Sequence, residues 1–196
     1  MRANRRQKSI CDRISFFYTQ IHDYFFLKTL KVAFIGPAGS GKSSFVSPLF
    51  SNKYLSEMGS SEIRCQKTRL QNLKLIVYDI PGTGDFEAKW DHYYKKVDAI
   101  VFFIDSTASE EECKRAKDSL QGLLYRNMWL KKNLLILGTK NDLNEAMPCR
   151  ELILRLNLLE IVDREVACYS VSAKTLTNID LVEEWLIDQA EELSKN

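Results

Sequence analysis

The chain is short of the residues that build metal and disulfide centres. It has two histidines, His22 and His92, and five cysteines at 11, 65, 113, 149 and 168 with no C-x-x-C pair. Two isolated histidines are expected to be surface polar groups rather than ligands. An odd number of scattered thiols argues against a disulfide framework and a zinc site, and predicts reduced cysteines in the cytosol. Four prolines and eight glycines leave no Gly/Pro/Ser-rich linker, and no internal repeat or low-complexity tract is present. No apolar run is long enough to span a bilayer. These absences leave one compact α/β domain as the expectation, and 196 residues suffice for a substantial core.

The net charge of +2 is small, but it is unevenly placed. Residues 1–31 hold Arg2, Arg5, Arg6, Lys8, Arg13, Lys28 and Lys31 against Asp12 and Asp23, a net +5 that leaves the rest of the chain at −3. A nucleic-acid face needs its basic charge on the folded body. Basic charge at one end, beside aromatics, predicts a membrane surface as partner and no nucleic acid. From Ser9 to Thr29 there is no Pro or Gly, and Ile10, Ile14, Phe17, Ile21 and Phe25 recur at helical spacing. This is an amphipathic helix pattern behind a basic cluster. A helix packed on the domain is the plainer alternative, and an Arg-rich mitochondrial presequence is another, against which Asp12 and Asp23 count. Arg2 excludes the N-myristoylation signal. The expected division is 1–29 as the basic amphipathic helix and 30–196 as the globular domain.

What the chain does have is Gly36-Pro37-Ala38-Gly39-Ser40-Gly41-Lys42-Ser43. It matches G-x-x-x-x-G-K-[ST], between a buried-strand run (Leu30–Ile35) and a helix start at Lys42. In that context the backbone N–H groups of Gly36, Ala38, Gly39, Ser40 and Gly41, with Ser44 behind them, can face phosphates. Lys42 reaches the β- and γ-phosphates and the Ser43 hydroxyl meets Mg²⁺. A bare glycine turn is the alternative. Thr139-Lys140-Asn141-Asp142 follows a second strand run, Asn133–Gly138. A carboxylate at Asp142 can accept from both N1–H and the 2-amino group of guanine, which adenine does not offer, and charge-assisted bonds are worth about 1.5–3 kcal/mol each. The Lys140 stem can lie along the base. Ser172-Ala173-Lys174, after the strand run Ala167–Val171, supplies a backbone N–H to the guanine oxygen. Each short motif alone is weak; three in order, each after a strand, specify GTP or GDP.

Elsewhere strand and helix patterns alternate. Glu62–Thr68 and Leu73–Asp79 predict a hairpin about Gln71-Asn72, and Ala99–Asp105 predicts a buried strand. Helix patterns cover about Ser109–Leu130, Cys149–Leu156 and Asp180–Leu193. Such alternation predicts a mostly parallel sheet covered on both faces, with ligand loops at the strands' carboxyl ends. Pro48 conflicts with the helix after the phosphate loop and is expected to kink or shorten it.

The chain resembles an Arf-family small GTPase over nearly its whole length. Asp79-Ile80-Pro81-Gly82 is similar to the family's D-x-G-G at switch II, Trp90-Asp91-His92-Tyr93-Tyr94 to its W-x-x-Y-F/C, and Asp142-Leu143-Asn144-Glu145-Ala146-Met147 to its D-L-P-x-A-M/L. The segments Asp163–Ser172 and Asn178–Asp180, with the unmyristoylated aromatic N-terminal helix, resemble the lysosome-associated Arf-like subfamily, the eighth of its series. The resemblance implies a six-stranded sheet of the P-loop GTPase fold. It also implies a GTP/GDP cycle with Mg²⁺, an exchange factor, an activating protein, and GTP-dependent effectors. It implies a cytoplasmic, peripheral membrane protein, with the lysosome or late endosome as organelle. Asp79 and Gly82 take the switch II nucleotide roles, and Ile63, Tyr78 and Tyr93 match the family's effector patch, with core-edge packing as the alternative for the tyrosines.

The departures matter. The family's water-orienting Gln after Gly-Gly is Thr83 here, too short for that reach, so slow intrinsic hydrolysis is expected. Pro81 replaces the first glycine but leaves the Gly82 N–H. At switch I, ungapped counting puts Ser60 at the Mg²⁺-binding threonine's position. Ser61 is the alternative, and both can equally be loop serines. Two functions follow: a slowly hydrolysing membrane switch, or a constitutively GTP-loaded scaffold. For the second, the β-subunit of the signal recognition particle receptor is a related precedent.

Overall fold

The computed structural model describes residues 28–51 and 62–195. The helix predicted over Ser9–Thr29 lies outside the described residues up to residue 27, as do Ser60 and Ser61. Lys28 and Thr29, which the helix pattern included, instead begin the first strand, opposite Leu73 and Lys74.

Six strands form one sheet: β1 (Lys28–Ile35), β2 (Arg64–Leu70), β3 (Leu73–Asp79), β4 (Ala99–Asp105), β5 (Asn133–Thr139) and β6 (Val166–Ser170). Their order is β2-β3-β1-β4-β5-β6. All neighbours are parallel except β2 and β3, which make the hairpin, with Leu70 opposite Leu73 across a two-residue turn. The near-continuous apolar runs of β1, β4 and β5 follow from burial on both faces. Edge strand β2 carries Arg64, Lys67 and Arg69, charges that discourage edge-to-edge pairing.

The pleat sends alternate residues to opposite cores. Phe34, Val101, Phe103 and Leu135 face α1 (Lys42–Ser51) and α5 (Ile179–Leu193). There the Phe103 ring lies 4.9 Å from that of Phe34 and 5.5 Å from that of Phe45. Ile35, Ile100, Phe102 and Ile136 face the other way, toward α2 (Gly84–Lys96), α3 (Glu110–Arg126) and α4 (Cys149–Arg155). Helix α2 carries no sequence expectation of its own; its buried Trp90 and Tyr94, one turn apart, hold it on this second core. A capping box starts α3: the Ser109 hydroxyl accepts from the Glu112 N–H at 3.3 Å, and the Glu112 carboxylate accepts from the Ser109 N–H at 2.8 Å. Pro48 does not stop α1, which runs through it to Ser51. No helix among the described residues is long and apolar enough to cross a membrane.

Gly36, Asp79, Asp105 and Thr139 end β1, β3, β4 and β5 or follow at once. Parallel strands put all four at one edge of the sheet, where α/β proteins place their ligands.

Candidate nucleotide site

The turn from β1 into α1 needs its glycines. Gly36, Gly39 and Gly41 have φ of 141°, 75° and 81°. A Cβ on Gly36 would stand 2.2 Å from the Phe103 carbonyl oxygen. This backbone turns its N–H groups into a concavity suited to anions.

Lys42 opens α1 with its side chain folded back over the turn. Its Nζ donates to the carbonyls of Gly36 at 2.8 Å and Pro37 at 2.7 Å. Burial pulls the ammonium down to about 8, with Asp79 acting the other way. A buried cation held by two neutral carbonyls and, at 3.3 Å, the Ser40 hydroxyl is poised for phosphate oxygens. Beside it the Ser43 hydroxyl donates to Asp79 Oδ2 at 2.9 Å. Both residues are buried, and both offer hard oxygens, the donor type Mg²⁺ takes. The donor set therefore fits that ion.

Switch II lies against the phosphate loop. The Ala38 N–H donates to the Gly82 carbonyl at 3.1 Å. A Cβ on Gly82 would come within 2.1 Å of the Gly36 oxygen, so a side chain there would push the two loops apart. Thr83 is exposed at the N-cap of α2, and its hydroxyl makes no capping bond.

The base-side motifs converge on the same edge. The Thr139 hydroxyl is buried, 2.9 Å from the Ser40 carbonyl oxygen. Lys140 takes a left-handed φ of 60° and pairs with Asp105 through its Nζ. Burial opposes the charge on Asp105, but bonds from Lys140 and from the N–H and hydroxyl of Thr107 outweigh it and hold the carboxyl below its usual range. The Ser172 hydroxyl donates to Asp142 Oδ1 at 2.7 Å, and Lys174 Nζ stands 4.0 Å from Oδ2. A cavity of about 230 Å³ opens among Gly41, Ser44, Thr139, Lys140, Asp142 and Ala173. A larger one, about 580 Å³, runs over Pro37, Ala38, Gly39 and Ser40 to Gly82. Lys140 lines both.

The predicted residues from Gly36 to Ser44, with Asp79, Gly82, Thr139, Lys140, Asp142, Ser172, Ala173 and Lys174, thus gather at one strand edge. Asp105, Thr107 and Leu143 join them without having been singled out in the sequence. An acid closing the buried run Ala99–Asp105 was the available signal for Asp105. Ile63, Tyr78 and Tyr93 sit apart, half-buried on the second core, with the two tyrosine rings 5.1 Å from each other.

A parallel sheet with one antiparallel edge strand and a glycine-rich loop leading from β1 into a helix is the P-loop GTPase fold. The chain belongs to the ADP-ribosylation factor family, whose model matches residues 17–190. It is 32% identical over 168 residues to ADP-ribosylation factor-like protein 8c of Arabidopsis thaliana, spanning 85% of this chain and 91% of that protein. Its structure is similar to that of the Arl6 BBS3 small GTPase from Trypanosoma brucei with bound nucleotide analogue GppNp. That likeness has a TM-score of 0.75 at 20% identity and covers 84% of this chain and 98% of that one. It is also similar to a chain of the mammalian SRP receptor, with a TM-score of 0.72 at 24% identity, covering 81% and 99%. These two likenesses speak for the fold alone. Family membership makes the protein an Arf-family small GTPase. Proteins of this family bind guanine nucleotide with Mg²⁺, hydrolyse GTP, and answer to exchange factors, activating proteins and effectors. The 32% relative supports the eighth Arf-like subfamily only loosely.

Proposed function

We propose that this protein is a Mg²⁺-dependent GTP/GDP switch with slow intrinsic hydrolysis, recruiting effectors at an organelle membrane of the lysosome or late-endosome type. The observation that carries the nucleotide reading is the convergence of Lys42 with the Ser43–Asp79 pair and the Ser172-held carboxylate of Asp142 at one edge. Asp142 would take the guanine N–H groups, and the Lys140 stem would lie along the base. The N–H groups from Gly36 to Ser44 would hold the phosphates. Ser43, together with Ser60, would hold Mg²⁺, which when bound would neutralise charge on the β- and γ-phosphate oxygens. The Gly82 N–H would meet the γ-phosphate, and Thr83 would stand where a water-orienting amide is expected. The basic and apolar residues of 1–27 would anchor the chain, with the nucleotide domain beginning at Lys28, the first residue of β1.

Competition binding tests the nucleotide reading: GTP and GDP should displace labelled GDP, and ATP should not. Asp142→Asn should narrow that gap, and equal affinity of the unaltered protein for ATP and GTP would refute it. One observation favours a second reading, a scaffold that stays GTP-loaded: Thr83, too short to orient the attacking water as an amide would, directly follows Gly82 at the start of α2. Single-turnover hydrolysis with and without cell extract separates the two. Acceleration by extract identifies the switch; no turnover in either identifies the scaffold.

A further inference from the structure

Far from the nucleotide edge, the end of α3 and the turn after it expose four large apolar side chains between residues 125 and 130. Tyr125 is 76% exposed and Trp129 87%, with Met128 and Leu130 also open. The turn is braced. Asn127 is buried; its side chain donates to the Leu123 carbonyl at 3.0 Å and to Asp91, and its own carbonyl accepts from the Leu130 N–H at 3.0 Å. A built turn that holds an aromatic cluster in water marks a contact surface.

Its surroundings say what it contacts. Lys131 and Lys132 follow directly, and Lys31 is exposed on β1, two strands across from β5. Two of the nearby acids are paired, Asp91 with Arg126 at 2.9 Å and Asp163 with Arg164 at 2.9 Å, while Asp98, which accepts from the Lys31 backbone N–H at 2.8 Å, and Glu192 line the cavity beside Lys131 and Lys132. Leu130, Lys131 and Lys132 share a cavity of about 220 Å³ with Leu30 and Leu193, so the turn adjoins the start of β1. The basic, aromatic segment 1–27 leads into the sheet at this place. Trp and Tyr favour the lipid–water interface, where one end of the ring is apolar and the other wet, and lysine stems reach headgroups from there.

We propose that the turn Tyr125–Lys132 is a second membrane contact, in which Tyr125, Met128, Trp129 and Leu130 enter the interface of an anionic bilayer while Lys131 and Lys132 meet its headgroups. It deepens the membrane reading above and rests on it. The parallel strands put this turn at the end of the sheet opposite the nucleotide site, so the bound protein keeps its nucleotide edge turned toward the cytosol and open to partners.

The three tryptophans make the test direct, because Trp90 and Trp185 are buried at 1% and 4% exposure and only Trp129 is open. Full-length protein loaded with a non-hydrolysable GTP analogue is mixed with phosphatidylcholine vesicles containing phosphatidylserine, with or without brominated phosphatidylcholine. Bromine should quench the emission, and Trp129→Ala should remove the quenched component. In vesicle sedimentation that variant should bind about tenfold more weakly, as the loss of half a buried aromatic's transfer would give. Each of Lys131→Gln and Lys132→Gln should weaken binding about fivefold at low salt. If the protein sediments but is not quenched, or Trp129→Ala binds as well as the parent, the turn is no contact and the anchor in residues 1–27 stands. If the full chain binds no vesicle, both readings fall. A Trp129 emission shift that follows protein concentration without vesicles would assign the turn to a second copy of the chain and overturn the proposal.

Discussion

The Thr139 hydroxyl lies 2.9 Å from the Ser40 carbonyl oxygen and 3.1 Å from that of Ile104, joining the base loop to the phosphate loop across 99 positions of sequence. One proton serves two buried acceptors, so the two halves of the nucleotide site are held in fixed relation. Thr139→Val keeps the shape and deletes the donor. It should cost about 1 kcal/mol of stability, rising toward ~3 if the Ser40 carbonyl stays buried and unmatched. The same change should speed GDP release. A melting scan and a labelled-GDP chase check both effects; unchanged release would show that the two loops act independently.

Lys42 predicts a pH dependence with a definite sign. Burial lowers its pKa from 10.5 to about 8 in the folded chain. Between those values the unfolded chain binds more protons, so stability of nucleotide-free protein should rise with pH across the window and carry the full penalty below about 8. Phosphate contact favours the ammonium, so GDP affinity should instead fall as pH passes upward through about 8. Melting of nucleotide-free Lys42→Met should lose the rising slope. Binding isotherms from pH 7 to 9 check the affinity; a flat profile would mean that Lys42 does not meet phosphate.

Thr83 sets the expected rate. It stands exposed at the start of α2, directly after the glycine that touches the phosphate loop. Thr83→Gln restores an amide long enough to orient water and should raise single-turnover hydrolysis, by roughly tenfold if general positioning is what is missing. Turnover on the scale of seconds by the unaltered protein alone would remove this argument.

The Tyr78–Tyr93 pair distinguishes a partner surface from packing. The rings lie 5.1 Å apart, and Ile63 belongs to the same half-buried rim of the second core. Replacing all three with Ala should abolish capture of GTP-dependent partners while nucleotide binding persists. A fall in melting temperature with loss of nucleotide binding would instead assign them to the core edge.

Much of the fold was legible from residue order. The runs Leu73–Asp79 and Ala99–Asp105 carry enough apolar length to mark buried strands, and both have the predicted bounds. The glycine-rich loop specified itself, because left-handed backbone and close approach leave little choice at Gly36. Other features were not local. Helix α2 draws its stability from Trp90 and Tyr94 against the distant sheet, and its mean pattern is polar. The α3 pattern extended to Leu130, yet the helix ends at Arg126, because Asn127 is held by Asp91, 36 positions away.

The sequence by itself determined which groups exist to meet a nucleotide: an ammonium at Lys42, a hydroxyl at Ser43, a carboxylate at Asp142, each with the local turn it needs. It also determined that β1, β4 and β5 would be buried, since only apolar runs of that length escape the need for a polar face. Tertiary structure alone decided that Thr139 meets Ser40, that Asp105 pairs with Lys140, and that Trp129 stands in solvent while Trp90 and Trp185 are covered. These are contacts across the sheet. They depend on which strand edges the parallel register brings level, and no spacing along the chain encodes that.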